Sequence, residues 1–409
     1  MTESSKKFVL REATRKRCKI VKTSEKLLKR FMPISLEMFP YLREAKAIDF
    51  SIYFHNDDEM VEFIKPNELS GELLASMVKA VQKPGASVEI CLLKSDYAKF
   101  EAVISAVRDK KIRAVIEKDP TLDSKVIEVY STLSSASQMI VRGGITNLVA
   151  GKATSATAHL MSTQMNSEVA VGTLSRMINC DSTLYDHSAS VAMLAAVIAT
   201  SFLKKPLDKK ESAVIAQCGL YHDAGKSCVP NHVLNKPGLF TPEEFEIMKT
   251  HTIHGHQELQ KAIKRGAPIH DLAARVAFEH HERFTGKGYP EKKAGRLEES
   301  ENGIHLYTRI VSIADVYSAL LMKRVYKESL SSLEAITLMA KVADNDFDPE
   351  IFNPFYDHIM KSIEVFKQRE KEYKENYGSV KMIDEKDSFG KAIAENQSSN
   401  RKQVKKKTG

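Results

Sequence analysis

The sequence predicts a mainly α protein: an all-helical C-terminal region, preceded by a small α/β domain and a helical linker. Three observations lead there. From Asp181 to about Glu370 the apolar pattern is helical, with few strand signals. The runs rich in β-branched and aromatic residues fall before Pro120. The 409 residues suffice for two or three domains at about 100–200 residues each.

Residues 1–16 are a basic lead-in. In 17–120, Phe50-Ser-Ile-Tyr-Phe and Val88-Glu-Ile-Cys-Leu-Leu read as strands, and Glu72–Val81 and Tyr97–Arg108 as amphipathic helices. Pro84-Gly85 marks a turn. This stretch has no Gly-rich phosphate loop and no cluster of catalytic residue types, which suits a sensory or association domain. Residues 121–179 are rich in Ala, Ser, Thr and Met and read as a connecting helix pair broken at Gly143-Gly144, or as a signalling helix that also dimerises. Residues 180–370 form the helical domain. Residues 371–409 turn highly charged, then Ser-, Asn- and Lys-rich, as disordered tails do.

The net charge of +8 sits at the ends. Residues 1–30 carry eleven Lys and Arg against three Glu, and five more basic residues lie between Arg401 and Lys407. The body between is slightly acidic, which argues against a nucleic-acid groove. Five scattered cysteines without a CxxC pair fit reduced thiols in a cytoplasm. The longest apolar run, Val191–Leu203, falls short of the about 20 residues that span a bilayer.

The chemistry concentrates in histidine. Nine of the 13 histidines lie between His187 and His281. Imidazole and carboxylate are the usual ligands of zinc, iron and manganese. His222-Asp223 closes an apolar helix, and His280-His281 follows on a helix expected over Asp271–Glu282. Adjacent helical residues point about 100° apart. Such a pair can grip one ion only where the helix ends, or can serve two neighbouring ions with the carboxylate bridging. Using the arrangement twice suggests a binuclear centre. Thr241-Pro242-Glu243-Glu244 is a capping box that starts a helix. Phe245, Met248 and His251 follow at helical spacing and put His251 on or near a buried face, although periodicity alone does not choose among His251, His254 and His256. Asp315 interrupts an apolar helix, where a carboxylate is paired, capping or metal-bound.

The order and spacing of these groups resemble the HD superfamily of metal phosphohydrolases. His280-His-Glu-Arg-Phe-Thr-Gly-Lys-Gly-Tyr-Pro290 is similar to the HD-GYP signature, HHE-x-x-D-G-x-G-Y-P. The runs Gly219–Gly238, Arg309–Lys327 and Phe347-Asp348-Pro349 resemble the same family. The resemblance covers about 170 of the 409 residues.

It implies an HD-type helical bundle that hydrolyses cyclic di-GMP to pGpG, GMP or both in bacterial second-messenger signalling. His187, His222, Asp223, His251, His280, His281 and Asp315 would be the metal ligands. Some family members hold a third metal through a Glu four residues before the first His; Thr183 stands there in this chain, which predicts two metals. Iron or manganese is implied, and the nitrogen and oxygen ligands also admit zinc. Two close cations would acidify a bridging water, so that hydroxide exists near neutral pH and attacks phosphorus in line. Lys226, with Asp223, would be catalytic, the lysine reaching the phosphate. Gly288, Tyr289, Arg324 and Lys327 would contact the substrate. Arg324 faces the metals only if the helix carrying Asp315 ends or bends near Met322. Thr285 replaces the signature Asp, Ser318 stands where ADVYDAL-type runs have Asp, and Val325 where RPY runs have Pro. Hydrolysis of cyclic GMP-AMP is a second reading. A low-activity scaffold that binds the nucleotide, or a diguanylate cyclase through the GYP loop, is a third. A homodimer through the linker helices is a further expectation.

Overall fold

The strand-forming runs pair into one antiparallel sheet. The computed structural model describes residues 19–377 except 29, 35–37, 57–58, 82–87, 144, 164, 181–185, 202, 204, 235, 237 and 323–329. The two terminal tails beyond these limits, the Pro84-Gly85 turn, Gly144, Asp181, Thr183, Arg324, Val325 and Lys327 lie outside the described residues. Strand β5 (Val88–Leu93) buries Val88, Ile90, Cys91 and Leu92. It pairs with β3 (Ile52–Asn56), Phe54 opposite Ile90. With β1 (Lys19–Lys22), β2 (Phe31–Pro33) and β4 (Glu59–Ile64) the order is β1-β4-β3-β5-β2.

Helix α1 (Phe39–Glu44) packs on α2 (Gly71–Val81), which in turn packs on β5. Helix α3 runs over Tyr97–Lys118, ten residues beyond the Arg108 expected from sequence. The reason is continued burial: Lys111 and Val115 keep the inward period going. Lys111 is a charged residue on that face, and it pairs with Glu44.

The linker is three helices rather than a pair: α4 (Ser124–Gly143), α5 (Asn147–Ser162) and α6 (Ser167–Cys180). Thr146 caps α5 by accepting from Val149 N at 3.3 Å. The small residues Ala150, Ala153 and Ala156 are buried, so the backbones approach closely. These helices pack directly on the helices that follow, α5 on α8 and α6 on α13.

The helical region comprises α7 (His187–Ser201), α8 (Lys209–Tyr221), α9 (Pro242–Lys264), α10 (Asp271–Glu279), α11 (Leu306–Leu321), α12 (Ser332–Ala340) and α13 (Pro349–Tyr377). Helix α7 is buried from Ala189 to Ala199 on every face and is the central rod, flanked by α8 and α11. That explains its alanine content. A Cβ on Gly219 of α8 would collide with the backbone of Ala192, so only glycine permits this contact. The Thr241/Glu244 capping box opens α9 with Pro242 at the first position, as the sequence predicts. A second box, Asp208/Glu211, opens α8. An N-cap of this type contributes about 1 kcal/mol. Among the described residues no helix is long and apolar enough to cross a membrane.

Candidate metal centre

Each candidate ligand is delivered by the end of a helix or by a face turned inward. Helix α8 stops at Tyr221, so His222 is its C-cap and Asp223 opens the short 3₁₀ turn Ala224–Cys228. Helix α10 stops at Glu279 rather than Glu282, making His280 its C-cap. Both adjacent ligand pairs therefore sit where a helix ends, the condition under which neighbours can aim at one point. Gly225 lets the 3₁₀ turn lie backbone to backbone on α9, since a Cβ there would collide with His251 O and Gly255 N. This close approach brings Asp223 to His251. His187 starts α7, and Asp315 lies on the buried face of α11.

All seven residues converge. Their ligand atoms form three overlapping groups: His251, His280 and His281; His187, His222 and Asp223; His222, His280 and Asp315. Asp223 spans the cluster. Its Oδ2 lies 3.2 Å from His222 Nε2 and 3.8 Å from His187 Nε2. Its Oδ1 lies 3.4 Å from His251 Nε2 and 3.7 Å from His280 Nε2. Asp315 Oδ1 is 3.0 Å from His187 Nε2.

The outer nitrogens fix the tautomers. Nδ1–H of His222 donates to Gly219 O at 2.8 Å, that of His251 to Met248 O at 2.6 Å and that of His280 to Ala277 O at 3.0 Å. A ring that donates from Nδ1 presents a lone pair on Nε2 when neutral. The Nε2 atoms of His251 and His280 then face each other at 3.3 Å, lone pair to lone pair. Protonation does not relieve this, because burial pushes both imidazoles below their usual pKa, His280 strongly. His281 is pushed down to about 3 by burial. Burial would also lower His222, but the negative charge of Asp223 beside it outweighs this and raises that ring. For both carboxylates burial acts upward and loses: His222 and Lys226 hold Asp223 well below the carboxylate range, and His187 does the same for Asp315.

The result is two buried anions and a set of inward lone pairs. Among the described residues, His222 Nε2 and Asp223 Oδ1 are buried with no hydrogen-bond partner. Such orphans are costly unless a cation meets them. An all-nitrogen-and-oxygen donor set, most of it with lowered pKa values and so deprotonated, fits divalent transition metals.

Around the cluster, Lys226 Nζ pairs with Asp223 Oδ2. Tyr289 stacks on His281, ring centroids 4.8 Å apart. Gly288 has a packing reason of its own, because a Cβ there would meet the backbone of His281, Glu282 and Arg283. Thr285 donates its hydroxyl to Asn345 O at 2.8 Å, so the loop is tied down despite the missing signature Asp. Helix α11 ends at Leu321 and Met322 is extended (ψ 130°), the break expected there. His256 is turned away, its Nδ1 donating to Ala274 O at 2.9 Å, and of the three candidates on this helix it is His251 that joins the cluster.

Sequence reasoning missed four contributors. Ser318 holds His187: its Oγ is 3.0 Å from Nδ1. The signal was the i+3 spacing from Asp315, which puts both on one face. Glu282 is buried and accepts from Glu291 N at 2.7 Å and Lys293 N at 2.9 Å, anchoring the GYP loop. Phe245, placed by its spacing on the same helical face as His251, is 43% exposed and edges Tyr289 at 6.3 Å. It lies in the first turn of α9, beyond the packed part of that face. Lys249 Nζ lies 4.7 Å from the Phe245 ring and 5.5 Å from the Tyr289 ring.

Residues 168–351 match the family model for the HD domain. Over 151 residues the chain is 38% identical to a cyclic di-GMP phosphodiesterase of Thermotoga maritima, covering 37% of this chain and 38% of that protein. Over 137 residues it is 37% identical to a probable cyclic di-GMP phosphodiesterase of Vibrio cholerae, covering 33% and 30%. The segment belongs to the HD-GYP family. A 3'3'-cGAMP-specific phosphodiesterase of Vibrio cholerae is 30% identical to it over 152 residues, 37% of this chain and 27% of that one. The chain thus spans about a third of the length of the curated relatives it matches. An HDG"Y"P protein of Bdellovibrio bacteriovorus matches in structure with a TM-score of 0.48 at 17% identity over 81% of this chain and 99% of that one. The HD match begins at residue 168, in the first turn of α6.

Proposed function

We propose that the HD-GYP segment is a binuclear metal phosphodiesterase acting on cyclic di-GMP. The observation that carries this reading is Asp223, whose two oxygens face two different histidine groups. His187, His222, Asp315 and Asp223 Oδ2 would hold one cation; His251, His280, His281 and Asp223 Oδ1 would hold the other. Iron or manganese suits these ligands. When bound, the cations would supply Lewis acidity, activating a water and neutralising charge on the phosphoryl oxygens.

The chain's own residues do the rest. Lys226, paired with Asp223, is within reach of a phosphate at the cluster and would exchange that partner for it as charge builds. Tyr289 and Phe245 offer aromatic surface to a base, and Lys249 beside them a cation for the second phosphate. Arg324 and Lys327 are assigned to substrate by the family resemblance. The relatives named cyclic di-GMP phosphodiesterases support the guanine dinucleotide; those named for 3'3'-cGAMP support cyclic GMP-AMP as the second substrate to test. Products would be pGpG, GMP or both.

The test is chromatographic. Purified protein of known metal content is incubated with cyclic di-GMP and, separately, cyclic GMP-AMP, with Asp223→Ala as control. Linear dinucleotide or mononucleotide from cyclic di-GMP, absent in the variant, is the expected result. Tight nucleotide binding with no turnover would replace the enzyme by a scaffold.

A further inference from the structure

A second cavity, of about 700 Å³, lies between α3, α4 and α5 and shares no lining residue with the metal cluster. Small-molecule sites are typically about 300–1,000 Å³. Its walls have two characters. Ile104, Met139 and several alanines are apolar, whereas Arg108, Lys152 and His159 are basic, opposed by Glu101.

Arg108 is the informative residue. It is 4% exposed. Its Nη1 donates to Ser135 Oγ at 2.9 Å, and its cation lies 5.7 Å from the Tyr41 ring centroid. Among the described residues, Nε and Nη2 have no hydrogen-bond partner. A buried guanidinium left with unmatched donors is costly, and an anion beside it offsets that cost.

The cavity is also wired to the metal cluster. Ser135 lines it from α4, and the residue before it, Ser134, donates to Asp186 Oδ2 at 3.4 Å. One turn earlier Tyr130 accepts from Asp186 N at 2.5 Å. Asp186 in turn accepts from Ala189 N at 2.9 Å and fixes the first turn of α7, where His187 begins. Arg108 is near enough for its charge to act on Asp186.

We propose that this cavity binds a small organic anion with an apolar body, and that its occupancy is transmitted along α4 to Asp186 and His187. The carboxylate or phosphate end meets Arg108 and Lys152; the apolar part lies on Ile104, Ala136 and Met139. The binding half stands alone, and the transmitted half rests on the phosphodiesterase reading.

The full chain is titrated by calorimetry with octanoate and, separately, with inorganic phosphate. Octanoate should bind at one site per chain and phosphate more weakly. Because Arg108→Gln removes a buried group and can unfold α3, the test uses Lys152→Glu and Glu101→Gln, each with its circular dichroism checked. Lys152→Glu should weaken octanoate about tenfold or more, and Glu101→Gln should tighten it. Hydrogen exchange of the amides at 187–191 should slow on adding octanoate, a readout independent of turnover. No octanoate binding, equal binding by Lys152→Glu, or phosphate binding tighter than octanoate would overturn the assignment. Binding without slower exchange would overturn the transmission.

Discussion

The two ends of the ligand cluster are held by different means. At one end His251 and His280 donate to backbone carbonyls of their own helices, so their orientation follows from helix geometry alone. At the other end His187 leans on the hydroxyl of Ser318, a side chain that a single substitution removes. Where family runs have an Asp, this chain has a neutral partner, which makes His187 a weaker donor than a carboxylate would. His222, at that same end, donates to Gly219 O as the other two do to their own helices, so the difference is confined to His187, the one ring of these four whose orientation rests on a side chain. A metal held at the His187 end should therefore be the first to leave.

Four changes break or sharpen this contrast. Asp223→Ala erases it, because the two oxygens of Asp223 face the two ends; elemental analysis should find the protein depleted of metal and turnover should fall below detection. Ser318→Ala sharpens it, lowering affinity at the His187 end about 10–100-fold, while Ser318→Asp restores tight binding; chelator competition on the purified protein reads both. Acidification separates the ends more gently. His222 has a raised pKa and takes up a proton first as pH falls, whereas His281, at about 3, stays neutral. Metal release followed from pH 8 downward should be biphasic, the His187–His222 end first, and a single transition would remove the distinction. Phe245→Ala should leave both metals in place and raise KM by up to about tenfold, the value of one aromatic contact; a change in metal content would mean that Phe245 supports the cluster instead.

Much of this was legible in the sequence, for a physical reason. Metal ligands are specific residue types at fixed spacings, so His222-Asp223, His280-His281 and Asp315 stand out against an apolar helical background. The capping box at Thr241 is local chemistry and reads directly. What was not legible depends on tertiary contacts. The extension of α3 to Lys118 relies on a buried lysine finding Glu44 across the domain. The linker's third helix has its register set by α13. The edge strands β1 and β2 are only four and three residues long, too short to show alternation. Ser318 and Glu282 read as a helix surface and a motif consonant until the partner atoms are in place. The cavity at Arg108 has no sequence signature, since three helices far from the motifs create it.

The central claim is a centre of two metals bridged by Asp223. Its most direct test is the metal count of the full chain, purified without oxygen to protect iron and measured by elemental analysis against protein concentration. Two ions per chain are expected, with both depleted in Asp223→Ala. One ion per chain, or a second that survives the substitution, would contradict the bridge.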